Sequence, residues 1–240
     1  MSLLSVITDV VDAVGLPRLA AVASDTGQPA RQMLALANEV LDDLARKNWP
    51  ILEKAFTFNT VAAQADYALG VGIPTDYKRM IQDSMYDTSS FYKVRGSVTA
   101  SEWQRWRYSA LAALGRFTFK VYGQPLKITL SPTPQTVEAI TYEYTSTTRV
   151  LSDTGVAKVR FDADTDTTVF PEEILKLGLK WKIRHAKGLE YAQAFNDYQL
   201  ALQTVFAQES NFGDMPVAIA RNRSSIDLPD GYVRESGYGV

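Results

Sequence analysis

The chain contains no cysteine, which excludes disulfides, thiolate metal sites and a cysteine nucleophile, and suits a reducing compartment without requiring one. It has one histidine, His185, so no histidine cluster exists to hold a metal or shuttle protons. Charge of either sign is not in excess: 25 basic residues against 27 acidic ones leave a formal net charge of -2, too little to wrap nucleic acid or hold an anionic membrane. A long apolar run is also missing. The N-terminal stretch SLLSVITDVVDAVG is broken by Asp9 and Asp12 and reads as a short amphipathic helix, neither signal peptide nor anchor. No repeat with a period of about 20 to 50 residues is visible.

What the chain does have is enough apolar residue, 46% of 240, to bury the core of one large domain or two smaller ones. Its longest helix-like run covers residues 170–209. Pro171 suits a first helical position, Glu172 and Glu173 favour the positive end of the dipole, and Lys176, Lys180, Lys182, Arg184 and Lys187 crowd the far end of the first segment. A stripe of Ile174, Trp181, Ala192, Phe195, Leu202 and Phe206 recurs at helical spacing, and Gly178, Ala186 and Gly188 allow another backbone to come close. One unbroken rod would be roughly 58 Å long, against a radius of gyration of roughly 18 Å for a compact chain of this size. A break at Lys187 and Gly188 is therefore expected.

Ahead of that run, Leu3, Ile7, Val10, Val11 and Val14 form one helical face that Gly15, Leu16 and Pro17 terminate. Pro29 opens a second helix with the stripe Met33, Leu36, Ala37, Val40, Leu41 and Leu44, expected to run to Asn48 and Trp49 before Pro50. Beyond Pro50 the period changes from helical to alternating: FTFNT, ADYAL, KRMIQDSMYD, FYKVR, FTFKVYG, LKITLS and EAITYEYTS read as strands, with a hairpin turn expected at Gly123 and Gln124 ahead of LKITLS. Thr99 to Glu102 is a capping box opening a helix over WQRWRYSALA. The fold class is α+β: terminal helices packed as a bundle, an inserted β-rich module and an extended C-terminal arm. The expected boundaries are 1–54 and 169–209 for the bundle, 55–168 for the module and 210–240 for the arm. In the arm Met215, Val217 and Ile219 alternate like a strand, and Arg221, Arg223, Tyr232, Tyr238 and Val240 add sparse anchors for a partner surface.

Candidate chemistry is thin. Asp162, Asp164 and Asp166 alternate, and Glu173 stands at the twelfth place of a calcium-loop count, but Thr167 holds the position where glycine is needed; a solvated acidic turn is the expectation, with no metal or cofactor. Gly70 and Gly72 in GVGIP lack the lysine and hydroxyl of a phosphate cradle and mark a turn. Trp103, Arg105, Trp106, Arg107 and Tyr108 have the makings of a base-stacking patch, yet two tryptophans three apart more often pin a helix to a sheet. Lys180, Lys182, Arg184 and Lys187 either line a channel for a polyanion or form a solvated face. No acid, base and nucleophile assemble, and an enzyme is not expected.

The order of Trp49 and Pro50, Phe56 and Thr57, Tyr67, Pro74 and Tyr77, Glu102 and Trp103, Leu130 with Pro132 and Pro134, Tyr142 and Tyr144, and the Gly188–Tyr191 step resembles the head-to-tail adaptor proteins of tailed bacteriophages. The likeness spans residues 30–207; VGIP before Thr75 and Asp76 departs from the Leu-Pro pair more usual there. The resemblance implies a non-enzymatic virion component that forms a ring of about twelve copies between portal and tail or nozzle proteins, with DNA passing through the lumen unread. It implies subunit packing through the helices, at Gly178, Trp181, Gly188, Phe195 and Leu202, and docking of the C-terminal arm on the portal, in a neck assembled in the host cytoplasm. A ligand- or calcium-dependent binding module of a tail component is the competing reading.

Overall fold

The computed structural model describes residues 1–96, 99–108 and 116–210; the arm anchors from Met215 to Val240 lie outside them. Helix α1 (Leu3–Val14) begins behind Ser2, whose hydroxyl accepts the Ser5 N–H, and stops at Gly15, which is left-handed at φ 76°. Helix α2 (Gln28–Leu44) opens with Pro29 in its first turn. It ends several residues before the expected Trp49, and tertiary partners explain why. The Trp49 indole N–H donates to the Leu44 carbonyl at 2.8 Å, and the Lys78 ammonium donates to the Ala45 carbonyl. These donors satisfy carbonyls at the helix end, so the chain can turn away early.

A single turn at Pro50–Leu52 leads to β1 (Glu53–Asn59), β2 (Asp66–Ala68), β3 (Tyr77–Met80), β4 (Tyr86–Asp87), β5 (Tyr92–Lys93) and β6 (Arg95–Gly96). Helix α3 (Ala100–Tyr108), β7 (Thr118–Tyr122), β8 (Lys127–Ser131) and β9 (Ala139–Ser146) complete this part. Strand β9 is the spine of one sheet: β1 lies antiparallel along it from Glu53↔Thr145 to Asn59↔Ala139, while β4 and β3 share its other edge and β5 extends from β4. The second sheet runs β2-β8-β7-β6, with β6 parallel to β7. The alternation read from the sequence places Phe58, Ile140, Tyr142 and Tyr144 of one sheet in the same core as Tyr67, Phe119, Ile128 and Leu130 of the other. Each such side chain contributes on the order of 1.5–3 kcal/mol of burial. Helix α3 has the expected reciprocal capping box, Thr99 Oγ1 accepting from the Glu102 N–H at 3.3 Å and Glu102 Oε2 accepting from the Thr99 N–H at 3.0 Å. Trp103 is buried, which pins the helix.

Short strands β10 (Val150–Leu151), β11 (Ala157–Lys158) and β12 (Thr167–Thr168) form a three-stranded sheet ordered β11-β10-β12, and helices α4 (Glu172–Ala186) and α5 (Ala192–Ser210) follow. Helix α4 touches α1, α2 and α5, so the run read as the organising element is the hub of the helical layer. Val150, Phe161 and Phe170 join Val10, Val40, Leu41, Leu179 and Ile183 in one core, which packs the small sheet with the helices. The break falls where expected: Lys187 ends α4, Gly188 has φ 68°, and the Leu189 N–H returns to the Arg184 carbonyl at 2.9 Å.

Candidate functional site

The aspartate turn before α4 is structural. Asp164 Oδ1 accepts the N–H groups of Val22 and Ala23, both at 2.8 Å. Asp166, fully buried, accepts from the Asp162 and Ala163 N–H groups at 3.0 Å and from Lys158 at 2.9 Å. The backbone carbonyls of Asp166 and Asp164 accept the first two N–H groups of α1, from Leu3 and Leu4. The carboxylates are thus separately engaged: Asp162 and Asp166 share Lys158, Asp164 holds the loop after α1, and the backbone carbonyls of Asp164 and Asp166 seat the start of α1. Among the described residues no group of three or more acidic or imidazole side chains is arranged to hold a metal ion.

The basic face of α4 is also not uniform. Lys182 is buried, and its ammonium bridges Glu39 at 2.6 Å and Asp43 at 2.7 Å, two carboxylates one turn apart on α2. This corrects the reading of all four basic residues as one solvated or lumen-facing set. Lys187 is exposed, and Arg184 donates to the Glu190 carbonyl at 3.3 Å.

Of the residues expected to pack between subunits, Gly178 and Leu202 are covered within the chain. A methyl group on Gly178 would come within 2.7 Å of Val40 Cγ1 and 3.2 Å of Tyr198 Cε2, so the close approach it permits is that of α2 and α5 to α4. Leu202 lies in the helical core. Trp181 and Phe195 meet edge to face with ring centroids 5.3 Å apart, and His185 meets Tyr191 in the same way at 4.8 Å. Around Gly188 these rings form a ledge at the α4–α5 corner, where Leu189, Tyr191 and Phe195 keep 47%, 41% and 36% of their surface exposed. Such a contiguous aromatic edge is suited to contact with another protein surface.

One ionic hub ties the loop before β3 to β1 and β9. Asp76 accepts from Lys54 at 2.8 Å, the Tyr144 hydroxyl at 2.8 Å and the Ser146 hydroxyl at 2.7 Å. Burial alone would raise its pKa, but the donors Lys54, Ser146 and Tyr144 outweigh that and bring it down to about 2. Sequence reading missed this hub, because Asp76 and its partners lie 22 to 70 positions apart. The nearest signal was the Thr75-Asp76 step in a run rich in strand formers.

No helix among the described residues is long and apolar enough to cross a membrane. No curated protein matches the chain. The family model described as SU10 adaptor protein matches residues 1–232, nearly the whole chain. The protein belongs to the SU10 adaptor family and is a bacteriophage head-to-tail adaptor, a structural component of the virion.

Proposed function

We propose that this adaptor forms a ring between the portal and the tail or nozzle proteins, docks on the portal through residues 211–240, and leaves a lumen through which DNA passes without being read. The observation that carries the reading is that the family match runs on past the end of α5 at Ser210 to residue 232, so the segment beyond the packed helices belongs to what the family shares. The α4–α5 corner supports ring contacts through Trp181, Gly188 and Phe195, with Leu189 and Tyr191 beside them. The acidic turn and the buried Lys182 are occupied by bonds that hold the fold, which favours a structural role over calcium-dependent binding or catalysis. On this reading the subunit stays monomeric until residues 211–240 meet the portal.

Deleting residues 211–240 is expected to leave a monomer with an unchanged melting temperature that no longer binds portal in a pull-down. A truncated chain that still forms the ring would refute the role of the arm.

A further inference from the structure

Two carboxyl groups meet where β4 pairs with the start of β9. Asp87 closes β4 opposite Ile140, so the two side chains share the inward face, and Glu138 lies two residues before Ile140 on that same face. The backbones are fastened there: the Thr88 N–H donates to the Ala139 carbonyl at 2.8 Å, the Ala139 N–H to Ser89 Oγ at 2.8 Å, and the Glu138 N–H to Thr60 Oγ1 at 2.8 Å. Asp87 is fully buried. Its Oδ1 accepts the Ser89 and Ser90 N–H groups at 2.8 and 3.0 Å, which shapes the hairpin tip, but its Oδ2 is buried and accepts no hydrogen bond among the described residues. Glu138 mirrors it: Oε1 takes the Thr136 hydroxyl at 2.8 Å, and Oε2 is buried without a partner. No lysine or arginine forms an ion pair with either carboxylate among the described residues. Among the described residues, the Tyr92 hydroxyl on β5 also faces them.

We propose that Asp87 and Glu138 share one proton and act as a proton-linked clasp that holds the hairpin tip, residues 88–91, against the turn before β9. Two neighbouring carboxylates, one fully buried and the other half-buried, each with a buried oxygen that has no partner among the described residues, cannot both ionise without strong repulsion. With the proton in place, a Glu138 hydroxyl donates to Asp87, whose other oxygen already grips the tip. When the proton leaves, two negative charges face each other and the tip is pushed from the turn. Phe91, at the end of the tip, is 82% exposed and left-handed at φ 56°, so the clasp controls how an apolar side chain is presented. Burial first, and then the Asp87 carboxyl, raise the Glu138 pKa above its usual range. Tyr92 is pushed up to about 12, by burial first, so it stays neutral throughout. The sign follows from the direction: an acid whose pKa is raised by folding contributes stability that is whole below its ordinary value and is lost as pH rises through the folded value.

The test is the melting temperature of the full chain and of Glu138→Gln from about pH 5 to about pH 8. The glutamine amide is a permanent donor to Asp87. The variant is expected to melt about 2–4 °C above wild type at the upper pH, with the gap closing at the lower one. Hydrogen exchange of the peptide covering residues 86–92, corrected for intrinsic rate, should be slower in the variant than in wild type at the upper pH only. Asp87→Asn, which keeps an acceptor for the Ser89 and Ser90 N–H groups, should flatten the same pH dependence. A gap that is the same at both pH values, or wild-type pH dependence in both variants, would overturn the proposal. So would a rise in wild-type melting temperature on adding calcium that Glu138→Gln abolishes, since a cation rather than a proton would then join the pair.

Discussion

Replacing Trp49 with alanine is expected to lower the stability of the subunit by about 3–5 kcal/mol. Trp49 is fully buried and stands where the chain leaves the helices for the β-sandwich. Its ring centroid lies 5.3 Å from that of Phe170, just before α4, and 4.3 Å from that of Phe206 on α5. Its indole N–H caps the Leu44 carbonyl at the end of α2. One side chain thus joins the segments on both flanks of the inserted strands, and removing it leaves a cavity and takes one of two donors from the Leu44 carbonyl, which keeps the Lys47 N–H at 3.1 Å. Urea unfolding followed by circular dichroism measures the loss. Trp49→Phe keeps most of the ring packing but not the donor, and should lose roughly 1–2 kcal/mol. A Trp49→Ala midpoint equal to wild type would show that the three-ring contact does not hold the layers together.

Asp76→Asn is expected to lose about 2 kcal/mol at neutral pH and to lose its disadvantage in acid. The folded carboxyl titrates near pH 2, below the ordinary value of 3.8, because Lys54, Ser146 and Tyr144 favour its charged form more than burial disfavours it. A depressed carboxylate contributes stability that is whole above the unfolded value and falls away as pH drops through the folded one. The difference between wild type and variant should therefore be full above pH 3.8 and shrink toward pH 2. Only 24% of the Asp76 side chain is exposed, so solvent screening takes little from this figure. Urea midpoints of both chains across that window check it. A difference that does not change with pH would mean that packing, not charge, sets the cost.

The features legible in the sequence are those whose causes are local. Gly15 ends α1, Thr99 and Glu102 cap α3, and Gly188 breaks the long helical run, each through backbone freedom or a side chain three residues away. The alternation of Ile140, Tyr142 and Tyr144 shows which face of β9 is buried because a strand repeats every two residues. Features fixed by distant partners were not legible. Helix α2 stops early because Lys78, 33 positions on, reaches the Ala45 carbonyl. Lys182 is buried because Glu39 and Asp43 arrive from α2, and nothing around it in sequence distinguishes it from Lys180. Asp164 reads by spacing as part of a solvated acidic turn and is instead claimed by N–H groups 141 and 142 positions away. The break at Gly188 was readable, whereas the covering of Gly178 by Val40 depended on how α2 crosses α4.

The most direct measurement of the central claim is light scattering with negative-stain imaging of the full-length chain, alone and mixed with portal from the same virus. The expected result is a 26.6 kDa monomer alone and a ring of about twelve copies seated on the portal in the mixture. A chain that remains a lone monomer in the presence of portal at every salt concentration would contradict it.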